Sequence, residues 1–167
     1  MREDMQREIR EFVLSDVSEE PFEGSHRELW SNLRDVGTEL WLDTGDMEAA
    51  AAEWGPAFTA LTTNNTLLNK EVQKGIYDDL ITEAKGIVAE LPKAEQIREI
   101  GFILNARHGL RLAKRFGAWV SVELHTDLSH DLEGIVSYGE RFAEIDPENF
   151  IVKVPLTPTG LIGARRL

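Results

Sequence analysis

Four short runs that are apolar on both faces recur along this chain, with helical patterns between them, and this alternation limits the folds open to it. Leu40-Trp41-Leu42 is the first, closed by Asp43-Thr44-Gly45-Asp46. Phe58-Thr59-Ala60-Leu61-Thr62-Thr63 is the second and Trp119-Val120-Ser121-Val122-Glu123-Leu124 the third. The fourth, Phe150-Ile151-Val152-Lys153-Val154-Pro155, lies between Asn149 and a terminating proline. A strand apolar on both sides needs cover on both faces, as central strands of parallel sheets have. One helical pattern covers 47–54. A long one covers about 77–116 with a break near Pro92, and within it Ile97, Ile100, Leu104 and His108 share a face. Another covers 131–145, with Ile135, Tyr138 and Phe142 on one side, and a last one opens at 159–167. The alternation predicts an α/β architecture, a parallel sheet covered by helices. An open doubly wound sheet and a barrel both satisfy it. No GxGxxG follows a strand and no GxxxxGK[ST] occurs, which weakens nucleotide-binding open sheets and favours a TIM-type (β/α) barrel.

Residues 1–38 precede this texture and are charged and helix-compatible. Ile9, Phe12 and Val13 lie at helical spacing, and so do Leu29, Leu33 and Val36, with the stretch 18–25 breaking the two patterns. The expectation is two extra N-terminal helices packed outside the main fold, the second ending at Gly37, and a barrel unit over 39–167.

Composition narrows the partners. Thirty acids against 18 bases leave a formal charge of −12, a surface that repels phosphate backbones and anionic membranes, so neither nucleic acid nor membrane is expected as a partner. No cysteine occurs, which excludes thiol nucleophiles and cysteine metal sites and suits a reducing cytoplasm. The start, Met1-Arg2-Glu3-Asp4-Met5-Gln6, has no apolar core of the kind a secretory signal needs.

The informative residues are polar side chains at strand ends. Asp43, Asn64, Glu123 and Lys153 each fall at or near the carboxyl end of a different strand. Parallel strands send those ends to one side, the face where (β/α) barrels gather catalytic groups. Lys153 is a cation inside an apolar strand. An ammonium buried without a partner lowers its pKa, and a neutral lysine is a nucleophile toward carbonyl carbons. The alternative is a strand-end lysine that reaches solvent. Glu123 suits proton transfer, directly or through one water, or else an ion pair with Lys153 or another base. Asp43 sits in a segment that also suits a turn and helix cap, a role that accounts for Asp46 better than for Asp43, and Asn64 suits a cap on the next helix. His26 and His108 lie in predicted helices. His125 and His130 are five apart and share no helical face, so with Asp127 and Asp131 they fit a solvated loop better than a metal site.

On these residues the sequence resembles the transaldolase family, including its shorter fructose-6-phosphate aldolase-like members. The matching pieces are Leu42-Asp43-Thr44-Gly45-Asp46, then Leu61-Thr62-Thr63-Asn64-Asn65-Thr66-Leu67, then Val120-Ser121-Val122-Glu123 with Asp131-Leu132-Glu133-Gly134. Ile151-Val152-Lys153-Val154-Pro155 with Thr157-Pro158-Thr159-Gly160-Leu161 completes them. The resemblance implies Lys153 as the Schiff-base lysine, Asp43 as an acid/base group and Glu123 as the residue that moves protons through a water. It places Asn64 and Thr62 on the substrate, and implies a dihydroxyacetone unit passed from a ketose phosphate to an aldehyde, as in pentose phosphate metabolism, with no metal or organic cofactor. Family members usually have proline where Asn65 stands, an exchange expected to cost rigidity more than chemistry. A full barrel takes about 250 residues, and only four strands are expected here. The half barrel is therefore read as part of a longer enzyme, as a chain completed by a homo-oligomer or a complementing C-terminal half, or as a non-catalytic sugar-phosphate-binding module.

Overall fold

The computed structural model describes residues 2–167. Two helices, α1 (Glu3–Leu14) and α2 (Glu28–Asp35), precede β1 (Leu40–Asp43), α3 (Met47–Glu53), β2 (Phe58–Thr62), α4 (Asn65–Val72) and α5 (Asp78–Ile87). Then follow α6 (Lys93–Phe116), β3 (Trp119–Glu123), α7 (Leu132–Ile145), β4 (Phe150–Lys153) and α8 (Pro158–Arg166). Each βα connection ends in a side-chain cap: Asp46 takes the N–H of Glu48 and Ala49, Asn64 that of Leu67, Asp131 that of Gly134 and Thr157 that of Gly160. These caps satisfy orphan amides and set where each helix starts. The break near Pro92 separates α5 from α6, and Gly117, with φ 59°, turns the chain out of α6 toward β3. The α4 helix lies ahead of the 77–116 pattern; its Asn-Thr-Leu-Leu-Asn-Lys-Glu-Val sequence carries little period, and the Asn64 cap and packing on α6 hold it.

All four strands pair in parallel in the order β1-β2-β3-β4. That order separates the two folds the alternation allows. A doubly wound sheet reverses its strand order to put helices on both faces, whereas sequential strands with right-handed crossovers put every helix on one face. This is four-stranded partial-barrel geometry. Leu42, Leu61, Val120, Val122, Phe150 and Val152 face the helices and belong to, or pack on, one hydrophobic core. The alternate residues face the other way, and there Trp41 and Trp119 remain 43% and 55% exposed.

Helix α6 approaches the sheet closely at Gly109, where a β-carbon would lie 2.8 Å from Val122 Cγ1 and 2.9 Å from Phe150 Cζ. The N-terminal helices divide. Helix α1 lies against α5, α6 and α7, and its buried Met5, Ile9 and Val13 are continuous with the core. Arg107 and Lys114 of α6 donate to the carbonyls of Phe12 and Val17, and Arg111 meets Glu19 at 2.5 Å. In α2 the expected apolar stripe packs only in part: Leu33 is half-buried, but Leu29 and Val36 are 62% and 79% exposed, and Trp30, outside the stripe, lies edge-on to Phe58. None of the described helices is long and apolar enough to cross a membrane.

Substituting Gly109→Ala is expected to destabilise the fold by about 1–3 kcal/mol, because the methyl overpacks against the sheet. Gly86→Ala in α5, where a β-carbon meets nothing within 4 Å, is expected to stabilise by up to about 1 kcal/mol. Urea unfolding of both variants checks the contrast.

Candidate active site

Every strand ends on a residue singled out by the sequence or directly before one. Asp43, Thr62, Glu123 and Lys153 are the last residues of β1, β2, β3 and β4. Register sorts them into two layers on the helix-free face. Asp43 pairs with Thr62, and Thr62 with Ser121. Glu123 pairs with Lys153 and stands two residues further along β3 than Ser121, about 6–7 Å closer to the rim. The structure therefore brings Glu123 and Lys153 together as cross-strand neighbours and puts Asp43 and Thr62 one layer deeper, toward the other edge of the sheet. Asp43 is exposed, and among the described residues its carboxylate has no side-chain partner.

The lysine and the glutamate bind the same turn at groups of opposite polarity. Lys153 Nζ reaches across to donate to the Thr63 carbonyl at 2.7 Å. Glu123 Oε2 accepts the backbone N–H of Asn65 at 2.8 Å. Neither the unpartnered ammonium nor the Glu123–Lys153 ion pair weighed from sequence forms among the described residues. Lys153 is half-buried and has an acceptor, so it neither lies bare in an apolar interior nor runs free into solvent. Asn64 Oδ1 is committed to the Leu67 N–H at 2.9 Å, the capping role expected of it, which leaves its amide nitrogen for any substrate contact.

Three participants escaped sequence reading. Thr63 acts through its carbonyl, which no side-chain pattern reports. Asn65 does more than loosen the turn: its N–H, which a proline lacks, holds Glu123, and its Nδ2 donates to the Leu124 carbonyl at 3.2 Å. Asn105 of α6 is buried and donates from Nδ2 to the Glu123 carbonyl at 2.7 Å. A lone asparagine among Phe102, Ile103, Leu104 and Ala106 was the available signal, since buried amides are kept where they are bonded.

Among the described residues no group of three or more His, Cys, Asp or Glu side chains is placed to bind an ion, and His125 Nδ1 accepts the Asp127 N–H at 3.2 Å. His108 is fully buried beneath the β1–α3 turn, with Nδ1 2.7 Å from the Tyr77 hydroxyl. Burial, aided by the Arg111 charge and opposed by the Gly45 backbone, lowers its pKa to about 4.

Residues 40–167 match the Transaldolase/Fructose-6-phosphate aldolase family. Transaldolase 2 of Nostoc punctiforme is 28% identical over 144 residues, 77% of this chain and 37% of its own. Transaldolase of Xanthomonas euvesicatoria is 27% identical over 134 residues, 75% of this chain and 41% of its own. That of Cricetulus griseus is 28% identical over 138 residues, 78% of this chain and 40% of its own. The chain spans less than half the length of these relatives.

Since His108 takes a proton more readily unfolded (6.5) than folded (about 4), its neutral ring stabilises fully above pH 6.5, and that contribution is lost as pH falls toward 4. Over this window the unfolding free energy of the parent is expected to fall more steeply than that of His108→Gln, by up to about 1.4 kcal/mol per pH unit. Parallel pH profiles in urea unfolding would refute the assignment.

Proposed function

The chain belongs to the transaldolase/fructose-6-phosphate aldolase family, and from that premise we propose that it carries the Schiff-base half of a transaldolase-like active site. Lys153 is the nucleophile. Its amine gives up the bond to the Thr63 carbonyl together with a proton and attacks the carbonyl carbon of a ketose phosphate, and water leaves as the iminium forms. The iminium draws electrons from the neighbouring carbon–carbon bond, which breaks as the adjoining hydroxyl gives up its proton and an aldose is released. The retained dihydroxyacetone unit adds to a second aldehyde, whose oxygen takes a proton, and water then hydrolyses the iminium to free the new ketose and Lys153. Glu123 moves protons at this centre, directly or through one water. Asp43, one layer deeper, is the second acid/base group, and Thr62 and Asn64 meet the substrate hydroxyls. The reaction as proposed requires no metal or organic cofactor, and its setting is carbohydrate (pentose phosphate) metabolism in the cytoplasm.

The observation that carries this reading is the pairing of Glu123 with Lys153 in register at the carboxyl ends of β3 and β4, on the one sheet face without helices. A charged pair there is poorly explained as packing, and this is the end of a (β/α) unit at which chemistry gathers. The bareness of the same face, with Trp41 and Trp119 exposed, favours a second, partner-dependent reading. In it a second copy or a complementing C-terminal half closes the barrel, and without that partner the chain binds sugar phosphate but does not turn it over.

Borohydride reduction in the presence of fructose 6-phosphate, followed by peptide mass spectrometry, distinguishes these readings. A reduced ketose adduct on Lys153, absent from Lys153→Met, is the expected result. A folded parent that forms no adduct while binding the sugar phosphate supports the second reading, and an adduct that persists in Lys153→Met overturns the lysine assignment.

A further inference from the structure

Asn65 is the first residue of α4, and its N–H is one of the amides that a helix leaves without an internal partner. Most such amides meet water or a capping side chain from their own turn. This one meets Glu123 Oε2 from a strand 58 residues away, at 2.8 Å. A carboxylate at a helix N-terminus is favoured by the unpaired amides and by the helix dipole. The carboxylate is also restrained from the backbone side. Asn105 Nδ2 donates to the Glu123 carbonyl at 2.7 Å and lies 3.4 Å from Asn65 Oδ1, while Asn65 Nδ2 donates to the Leu124 carbonyl at 3.2 Å. The two asparagines thus tie α4, α6 and the end of β3 together around one side chain. A strand-end glutamate otherwise has three free torsions, and nothing in β3 itself would aim it.

We propose that Asn65 and Asn105 are positioning residues for Glu123: the Asn65 N–H holds the carboxylate beside Lys153, and the paired amides lock the strand end that carries it. This rests on the reading of Glu123 as the proton-handling group. It has an unusually clean test, because proline suits the first helical position, and Asn64 is already extended at φ −152° and ψ 169°, as a residue before proline must be. Asn65→Pro therefore deletes the N–H together with the side-chain amide at little backbone cost, Asn65→Ala deletes the amide alone, and the difference between the two reports the N–H.

Two measurements separate this proposal from the Schiff-base reading. In proton–nitrogen NMR of the parent, the Asn65 amide is expected to move with pH as Glu123 gains its proton, and Glu123→Gln is expected to abolish that movement. An Asn65 amide that ignores pH, or one that responds equally in Glu123→Gln, overturns the proposal whether or not the chain reacts with sugars. In borohydride trapping with fructose 6-phosphate, Asn65→Pro is expected to form the adduct at Lys153 about tenfold more slowly than Asn65→Ala, the loss of one charge-assisted hydrogen bond, and Asn65→Ala to be no faster than the parent. Equal rates in Asn65→Ala and Asn65→Pro overturn it. Absence of adduct in the parent counts against turnover by the chain without a partner and leaves the amide signature to decide this proposal.

Discussion

The short turn of Thr63, Asn64 and Asn65 is where the structure above the sheet is held together. Its carbonyl at Thr63 accepts the Lys153 ammonium, and its N–H at Asn65 donates to the Glu123 carboxylate. The Asn64 side chain meanwhile starts α4. Opposite charges on neighbouring strands, Glu123 and Lys153, would ordinarily collapse into an ion pair. Here each is drawn to a backbone group of opposite polarity, and the pair stays open. A dipole fixed in a peptide needs no reorganisation when a charge nearby changes, which is the property a site for charged intermediates requires.

That turn is held by what lies behind it. Helix α6 carries Gly109, whose missing side chain lets the helix approach Val122 and Phe150, and Asn105, whose amide reaches the end of β3. On its outer side Arg107, Arg111 and Lys114 fasten the end of α1 and the chain that follows it. One long helix thus links the N-terminal segment to the strand ends, and a displacement at either end would be felt at the other through a closely packed interior.

The one-sidedness of the sheet shapes the functional reading as much as the site does. Sequential parallel strands place all helices on one face, so the face bearing Asp43, Thr62, Glu123 and Lys153 also bears Trp41 and Trp119. In a closed barrel such residues would be interior; here the sheet stops at four strands, and the chain spans less than half of the transaldolases it matches. The same geometry that gathers the polar groups leaves their apolar floor uncovered, which is why catalysis and partner dependence belong to one question.

The four strands, the capping roles of Asp46 and Asn64, the break at Pro92 and the strand-end positions of Glu123 and Lys153 were all legible in the sequence, because each is a local preference of a few neighbouring residues. The caps at Asp131 and Thr157 were not read there, and the last helix starts at Pro158, one residue before the expected 159. The sequence did not decide whether helices cover one face or two, which stripe of α2 packs, or that Asp43 and Thr62 sit a layer below Glu123. Nor did it show that a carbonyl at Thr63 and an amide at Asn65 would receive the two charges. Those outcomes depend on register and on bonds between residues as far apart as 63 and 153. Backbone groups carry no signature in the amino-acid code, and only the packing of α4, α6 and the sheet brings them within reach.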